Sequence, residues 1–270
     1  MGNKIYETDG MFDNTKSTVY ELWIEVGANH YSYAISDENH NLKAISFTDA
    51  SILTNIDDSN LTLPYANTKI SLHTSNFTFI PTSLYNGADE ANYAQFLNGE
   101  ESSELHTYKF LDAEITSLNT FDETELQEIK NLFPLAEIYP QYIPFIEGSK
   151  ILLKNVLSKQ LIINLKANNL EILILEDSKL QFYNVFECLN DEEILYYLLA
   201  TCQQNKIDPQ EISLNIAGDL TQYSNAYSLL QKAFKDIKFT QNSYFPANTT
   251  QFPKVDIHQF FSLLNLGKCG

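Results

Sequence analysis

The chain contains no arginine: all 17 of its basic residues are lysines, and they stand against 35 aspartates and glutamates. Arginine is the usual bidentate ligand of phosphate and carboxylate groups, so a site for such a group would need lysine or backbone amides here. The net charge of -18 argues against non-specific binding to nucleic acid or to an anionic membrane. We therefore expect no nucleic-acid partner.

Cysteine and long apolar runs are also scarce. Cys188, Cys202 and Cys269 are the only cysteines, and an odd number without C-x-x-C spacing argues against a disulfide framework or a zinc site. The 5 histidines show no H-E-x-x-H or H-x-H spacing, so no metal site is predicted. No apolar run approaches the roughly 20 residues that span a bilayer, and no apolar signal core is present. These absences predict a cytoplasmic protein without membrane insertion.

Only 9 glycines occur, and the motifs G-x-x-x-x-G-K-S/T, G-x-G-x-x-G and G-x-S-x-G are all missing. Their absence excludes the common glycine-rich phosphate loops and the nucleophile elbow, and no catalytic residue is predicted. The 16 tyrosines and 17 phenylalanines lack a basic stripe beside them, so we expect them to serve core packing and contact with a protein partner.

What the sequence does contain is an internal repeat. Residues 20–48 follow the order strand, turn, strand, turn, strand, and residues 160–187 follow the same order. This predicts a three-stranded antiparallel meander at the start of each half. Five positions are identical between the halves at an offset of 139: Leu22, Ile24, Ala28, Asn29 and Ile35 match Leu161, Ile163, Ala167, Asn168 and Ile174.

Alternating helices and strands are predicted after each meander. Asp122 with Glu125, and Asn190 with Glu193, have the spacing of helix N-caps. The strands at 161–165 and 172–175 are nearly continuous apolar runs, which is typical of a sheet covered on both faces in an α/β protein. Further helices are predicted at 89–97, 141–157, 226–234 and from Asp256, and further strands within 69–80 and at 106–111, 114–118, 212–217 and 237–240.

The charge is uneven along the chain. Residues 1–150 contain 7 lysines and 23 acidic residues, a net charge of -16, whereas residues 151–270 have a net charge of -2. The shift indicates two lobes. We predict a flexible N-terminal segment at 1–17, a first lobe at 18–150 and a second lobe at 151–270.

Two lobes that each open with such a meander resemble the superfamily of actin, sugar kinases and heat-shock chaperone ATPases. The chain as a whole resembles an uncharacterised family of Bacteroidota cytoplasmic proteins assigned to that superfamily. The segments that carry the resemblance are Leu22–Ser36, Asn76–Tyr85 and Leu161–Asp219. The resemblance implies a duplicated, ribonuclease H-like two-lobe α/β fold in which each lobe has a mixed sheet flanked by helices.

The resemblance also implies where a nucleotide would lie. Active members have Asp-x-Gly-Ser/Thr in the first phosphate turn, Asp-x-Gly in the second and two glycines in the adenosine loop. The matching stretches here are Glu25-Val26-Gly27-Ala28, Asn164-Leu165-Lys166 and Ile216-Ala217-Gly218-Asp219, so each loop has lost groups that hold phosphate, Mg²⁺ or adenosine. The implied degenerate site comprises Glu25, Gly27, Ala28, Asn164, Lys166, Asn168, Gly218 and Asp219.

Three functional hypotheses follow. The first is a non-catalytic binding or scaffold protein of the actin-like superfamily, without cofactor and with a protein partner. The second is a nucleotide-dependent ATPase or small-molecule kinase that binds ATP with Mg²⁺, in which Lys166 partly offsets the repulsion between Asp219 and phosphate. The third is an unrelated α/β fold in which the repeat has no structural meaning.

Overall fold

A computed structural model describes residues 4–27, 30–52, 58–98, 104–241 and 252–270. The chain divides into two compact units, residues 1–143 (unit 1) and 144–270 (unit 2). The division falls within helix α3 (Tyr142–Leu152), and the boundary predicted after residue 150 lies in the same helix.

Unit 1 is built on a six-stranded sheet with the strand order β1-β4-β3-β2-β5-β9. Strands β1 to β4 pair antiparallel, and β5 and β9 extend the sheet in parallel to β2. The strands of the unit are β1 (Lys4–Thr8), β2 (Glu21–Val26), β3 (Tyr31–Ser36), β4 (Leu42–Thr48), β5 (Asn67–Leu72), β6 (Phe77–Pro81), β7 (His106–Phe110), β8 (Ile115–Asn119) and β9 (Glu137–Pro140). Its helices are α1 (Glu90–Asn98) and α2 (Glu123–Leu132), and α3 begins at its end.

The alternation of side chains along β2 decides which residues enter the core of unit 1. Leu22, Ile24 and Val26 point to one face, where they pack with tyrosines of β3 and with apolar residues of β5 and α2. Trp23 and Glu25 point to the other face and are also buried. This sheet is therefore covered on both sides, as expected for a layered α/β unit.

Strand β1 is a correction to the sequence analysis, which places residues 1–17 in a flexible segment. Residues 4–8 instead pair antiparallel with β4, from Lys4 opposite Thr48 to Thr8 opposite Ala44. The strand is fixed by the Ser46 hydroxyl, which donates to the Ile5 carbonyl, and by Lys43, whose Nζ lies 3.1 Å from Asp9 Oδ2. A strand of five residues, two of them charged, gives little sequence signal. It forms because the edge of β4 supplies its backbone hydrogen-bond partners.

A second, three-stranded antiparallel sheet with the order β6-β8-β7 lies between β5 and α2 along the chain. The range 69–80, in which strands are predicted, therefore contains parts of two strands, β5 and β6, that belong to different sheets. Phe77 and Phe79 of β6 contact the Tyr142 ring at centroid distances of 5.3 Å. Strand β9 was not predicted, because four residues that end in proline give almost no periodic signal.

Unit 2 repeats the strand pattern of unit 1. Its five-stranded sheet has the order β12-β11-β10-β13-β14, with an antiparallel meander followed by two parallel strands. The strands are β10 (Gln160–Lys166), β11 (Asn169–Glu176), β12 (Lys179–Glu187), β13 (Ser213–Gly218) and β14 (Asp236–Phe239), and the helices are α4 (Asp191–Gln204), α5 (Asn225–Ala233) and α6 (Phe261–Asn265). The α/β fold and both predicted meanders are confirmed.

The predicted helix caps are mostly confirmed. Asn190 Oδ1 accepts the Glu193 N–H at 2.9 Å, and Asp122 Oδ1 accepts the Glu125 N–H at 2.8 Å. Each bond satisfies a backbone donor that the first helical turn leaves without a partner. The helix predicted from Asp256 begins as a 3₁₀ turn at Ile257–Phe260 and continues as α6, and the Asp256 side chain makes no capping bond.

Candidate functional site at the predicted phosphate loops

The second predicted phosphate turn joins β10 to β11 in unit 2. Asn164 stands opposite Glu171 in the antiparallel pair, and both are almost fully buried. Asn164 Nδ2 donates to the Glu171 carboxylate and to Ser262 Oγ, the latter at 3.3 Å. Tyr183 donates its hydroxyl to the same carboxylate. Asn164, a predicted site residue, is thus part of a buried hydrogen-bonded group.

The turn itself is held by the end of the chain. Lys166 Nζ donates to the Gln259 carbonyl at 2.6 Å and lies 5.7 Å from the centre of the Phe260 ring. Ala167 has a φ of 49°, a left-handed conformation that favours glycine. Asn168 is exposed, and its carbonyl accepts the Cys188 N–H at 2.7 Å. The ammonium group that could approach a phosphate therefore already has a carbonyl partner.

The predicted adenosine loop follows β13, which runs parallel to β10 and places Gly218 beside Leu165. Gly218 has a φ of +81°, and a Cβ atom there would lie 2.1 Å from the Leu165 carbonyl oxygen, so this position requires glycine. The Asp219 N–H donates to that carbonyl at 2.7 Å, and Asp219 Oδ2 accepts the Ala167 N–H at 3.0 Å. Asp219 thus links the adenosine loop to the phosphate turn.

His258 lies at the carboxyl ends of β13 and β14, next to the predicted adenosine loop. Its Nε2 is 2.8 Å from the Leu220 carbonyl oxygen, and its ring centre is 4.4 Å from that of Phe239. Burial lowers the pKa of His258, and nearby Lys166 acts in the same direction, whereas the Leu220 carbonyl and the carboxylates of Asp256 and Asp219 raise the pKa. The net shift is downward, which favours a neutral imidazole.

The first predicted phosphate turn lies in unit 1 between β2 and β3. Glu25 is 7% exposed and stands between Ser32 of β3 and Ser71 of β5. The Gly27 N–H donates to the His30 carbonyl at 2.9 Å, and a Cβ atom on Gly27 would lie 2.3 Å from His30 Cε1. The imidazole therefore covers the glycine that phosphate would approach. Ala28 lies outside the described residues.

The structure thus brings four of the predicted residues into one cluster of unit 2, at the adjacent ends of β10 and β13: Asn164, Lys166, Gly218 and Asp219. Glu171, His258, Gln259 and Ser262 also belong to this cluster, and sequence reasoning missed them. The offset of 139 places Glu171 opposite Ser32 of the first repeat, where no acid exists to signal it. The other three come from the end of the chain, where the spacing gives no indication that the segment returns to β10.

Two absences hold for the described part of the chain. Within those ranges no group of three or more histidines, cysteines, aspartates or glutamates is arranged to hold a metal ion. No helix in the same ranges has the length and apolar character to cross a membrane.

The three cysteines are buried. Burial raises the pKa of the Cys188 and Cys202 thiols to about 11, and the Glu193 charge adds to the shift of Cys188.

Comparison with solved structures defines the class of fold. A Bacteroides thetaiotaomicron protein described as having an actin-like ATPase fold and unknown function matches with a TM-score of 0.74 and 22% identity, over 92% of this chain and 100% of that one. A chain of the PilM–PilN type IV pilus biogenesis complex matches with a TM-score of 0.63 and 11% identity, over 93% of this chain and 99% of that one. This chain therefore has the actin-like ATPase fold, as the resemblance implies.

The family can be stated as well. The sequence pattern of the family described as "Protein of unknown function (DUF3822)" matches residues 9–237, and the chain belongs to that family. No protein with curated function is similar enough in sequence to count as a match.

Proposed function

We propose that the chain is a non-catalytic binding or scaffold protein of the cytoplasm, with the actin-like fold and without nucleotide as a cofactor. The observation that carries the proposal is that groups of the protein itself occupy the predicted phosphate loops. A loop that binds phosphate offers free N–H donors or an ammonium group to the anion. Among the described residues, the Lys166 ammonium and the Ala167 N–H of unit 2 and the Gly27 N–H of unit 1 have internal partners.

Unit 2 shows this most directly. The Asp219 carboxylate accepts the Ala167 N–H at 3.0 Å, so an anionic side chain already uses the backbone donor of the turn. A phosphate placed there would have to displace a carboxylate and then remain beside it, at a repulsion of about 4 kcal/mol for unit charges roughly 4 Å apart near a protein surface. Lys166, the one cation of the turn, donates to the Gln259 carbonyl.

Unit 1 supports the same conclusion by a different arrangement. The His30 imidazole lies over Gly27, at the place where the family glycine lets the backbone approach phosphate. Burial, and secondarily an electrostatic interaction with His30, lower the pKa of His73, which follows β5, so this histidine is disfavoured as a cation that would attract phosphate.

A protein partner is consistent with the fold and the surface. One chain of the same fold class occurs in the PilM–PilN complex, so this architecture is compatible with a binding role; the inference rests on fold alone. Several large apolar side chains are exposed, among them Phe96 at 81% and Leu135 at 93%. Such side chains provide contact area for another protein.

The test is calorimetric titration of the full chain with Mg·ATP and with Mg·ADP. We expect no binding heat above that of dilution. Asp219→Ala serves as the matched variant, because it removes the carboxylate from the Ala167 N–H while it leaves Lys166 and Gly218 in place. Tight binding by the unmodified chain would overturn the proposal, whereas binding gained only by Asp219→Ala would support it.

A second candidate function is a nucleotide-dependent ATPase or small-molecule kinase with unusual loops. One observation favours it: Asn164 Oδ1 is buried beside Gly218 and has no hydrogen-bond partner among the described residues. A bound ligand with a donor group would satisfy this oxygen. In that case Lys166→Ala abolishes the Mg·ATP binding of the unmodified chain.

A further inference from the structure

The three-stranded sheet of unit 1, here called the small sheet, ends in two adjoining turns. A 3₁₀ turn at Thr82–Leu84 follows β6, and residues 111–114 join β7 to β8. The Thr82 N–H donates to the Glu114 carbonyl at 2.8 Å, and the Thr82 hydroxyl lies 3.0 Å from that of Thr116 on β8. These bonds hold the two turns together at one end of the small sheet, which we call the tip.

Each turn of the tip exposes a leucine to solvent. Leu84 is 68% exposed and Leu111 is 82% exposed. Other turns between paired strands are polar instead, such as residues 37–41 between β3 and β4 and Asp177–Ser178 between β11 and β12. Apolar side chains contribute to stability when they leave water, so these two leucines are available for contact with another molecule.

The small sheet and its connections are strongly acidic. Residues 77–119 contain seven acidic residues and one lysine, Lys109, which gives a net charge of -6. Asp112 and Glu114 lie in the tip itself, and both are exposed. A positively charged group is therefore attracted to the tip, whereas an anionic group is repelled from it.

This charge selects the kind of molecule that fits the tip. Nucleic acid and anionic membranes are repelled, and so is a second copy of this chain, whose net charge is -18. We propose that the tip binds a segment of a partner protein that carries apolar side chains together with lysines or arginines. Its apolar side chains cover Leu84 and Leu111, and its cations approach the carboxylates of Asp112 and Glu114. The inference rests on the proposed binding role and gives that role a place and a class of partner.

The test is fluorescence anisotropy of labelled synthetic leucine–lysine peptides with the full chain. One peptide alternates the two residues, and the other has the pattern of an amphipathic helix, so that an extended and a helical segment are both sampled. We expect saturable binding of at least one peptide. Leu84→Asn combined with Leu111→Asn should raise its Kd roughly tenfold, because two leucines no longer become buried. Leu157→Asn, at an equally exposed leucine of unit 2, should leave the Kd unchanged.

A second pair of changes tests the charge of the tip. Asp112→Asn combined with Glu114→Gln should weaken peptide binding and reduce its dependence on salt, while circular dichroism shows that the variant is folded.

Three results would overturn the inference. They are the absence of binding by both peptides, binding that the two leucine changes leave intact, and self-association in sedimentation velocity that those changes abolish, since the last would assign the tip to a second copy. None of these measurements involves nucleotide. A chain that binds neither the peptides nor Mg·ATP would therefore refute this inference alone and leave the proposed function standing.

Discussion

Corresponding positions in the first two strands of each meander carry different polar residues in the two units. At the offset of 139, Glu25 corresponds to Asn164 and Ser32 to Glu171, so each meander has one buried carboxylate but on opposite strands. His73 after β5 corresponds in topology to Asp219 after β13, and each donates its N–H to the adjacent strand, at 3.2 Å and 2.7 Å. The backbone bonds are thus shared by the two units, whereas the side chains that would handle phosphate are not.

This difference shows that the fold constrains hydrogen bonds of the main chain more strongly than it constrains the polar side chains of the turns. The strand order, the parallel step to the fourth strand and the N–H after that strand are common to both units. The two turns differ in the side chain that contacts them. In unit 1 the His30 imidazole lies against Gly27, and in unit 2 the Asp219 carboxylate accepts the Ala167 N–H.

The largest expected effect tests the glycines of the two units. Gly218→Ala places a Cβ atom 2.1 Å from the Leu165 carbonyl oxygen, at a positive φ that strains any residue with a side chain. Because this oxygen belongs to the backbone, it cannot rotate away as a side chain could. We expect the substitution to lower the free energy of unfolding by at least about 3 kcal/mol in denaturant titration.

Gly27→Ala is its counterpart in unit 1. The clash there is with the His30 ring, which can rotate, so we expect a loss of about 1 kcal/mol that largely disappears in a His30→Ala background. Equal losses of unfolding free energy for Gly218→Ala and Gly27→Ala would contradict this difference between the two units.

The next effect concerns the buried carboxylate of unit 2. Glu171→Ala leaves the buried donors of Asn164 and Tyr183 without their acceptor, and we expect a loss of about 3 kcal/mol on chemical unfolding. Ser32→Ala is the matched change in unit 1. The Ser32 hydroxyl is buried and has no hydrogen-bond partner among the described residues, so its removal should change stability by less than about 0.5 kcal/mol. A larger loss of stability in Ser32→Ala would show that the Ser32 hydroxyl does make a hydrogen bond in the folded protein.

A smaller effect is expected at Asp219. Asp219→Ala removes the acceptor of the Ala167 N–H, and because the residue is exposed we expect a cost of about 1 kcal/mol. Hydrogen exchange gives the sharper measurement, since the Ala167 amide should exchange faster in Asp219→Ala and near its original rate in Asp219→Asn. An unchanged rate in the alanine variant would mean that the bond does not form in solution.

The smallest effect is the pH dependence from histidines of both units. Burial lowers the pKa of His73 and of His258 below 6.5, the value of the unfolded chain. The unfolded state therefore binds protons first as the pH falls, so this stability is present above pH 6.5 and is lost below it. Unfolding of the unmodified chain, His73→Gln and His258→Gln between about pH 7 and pH 5 measures the slope. Identical slopes in all three proteins would refute this account.

Much of the fold could be predicted from local pattern. The meander strands, the capping pairs at Asp122 and Asn190 and most of the helices carry their signal within a few residues. Strands β1 and β9 could not be predicted, because their stability comes from the neighbouring strands β4 and β5 rather than from their own composition.

The site was predictable only in part, for the same reason. Asn164, Lys166, Gly218 and Asp219 could be placed from the repeat and the family resemblance, because they lie directly at strand ends. Their partners could not be placed: Glu171 had no acidic counterpart in the first repeat, and Gln259 and Ser262 are more than 90 residues away from Lys166 and Asn164 along the chain.

The sequence by itself determined the class of fold, the two meanders and the residues of the predicted phosphate loops, because apolar periodicity and residue identity are local properties. Only the tertiary structure decided that these loops are closed by the protein's own groups. A hydrogen bond such as that from Lys166 to Gln259, or from Ala167 to Asp219, depends on where distant segments meet, and that is set by packing of the whole unit.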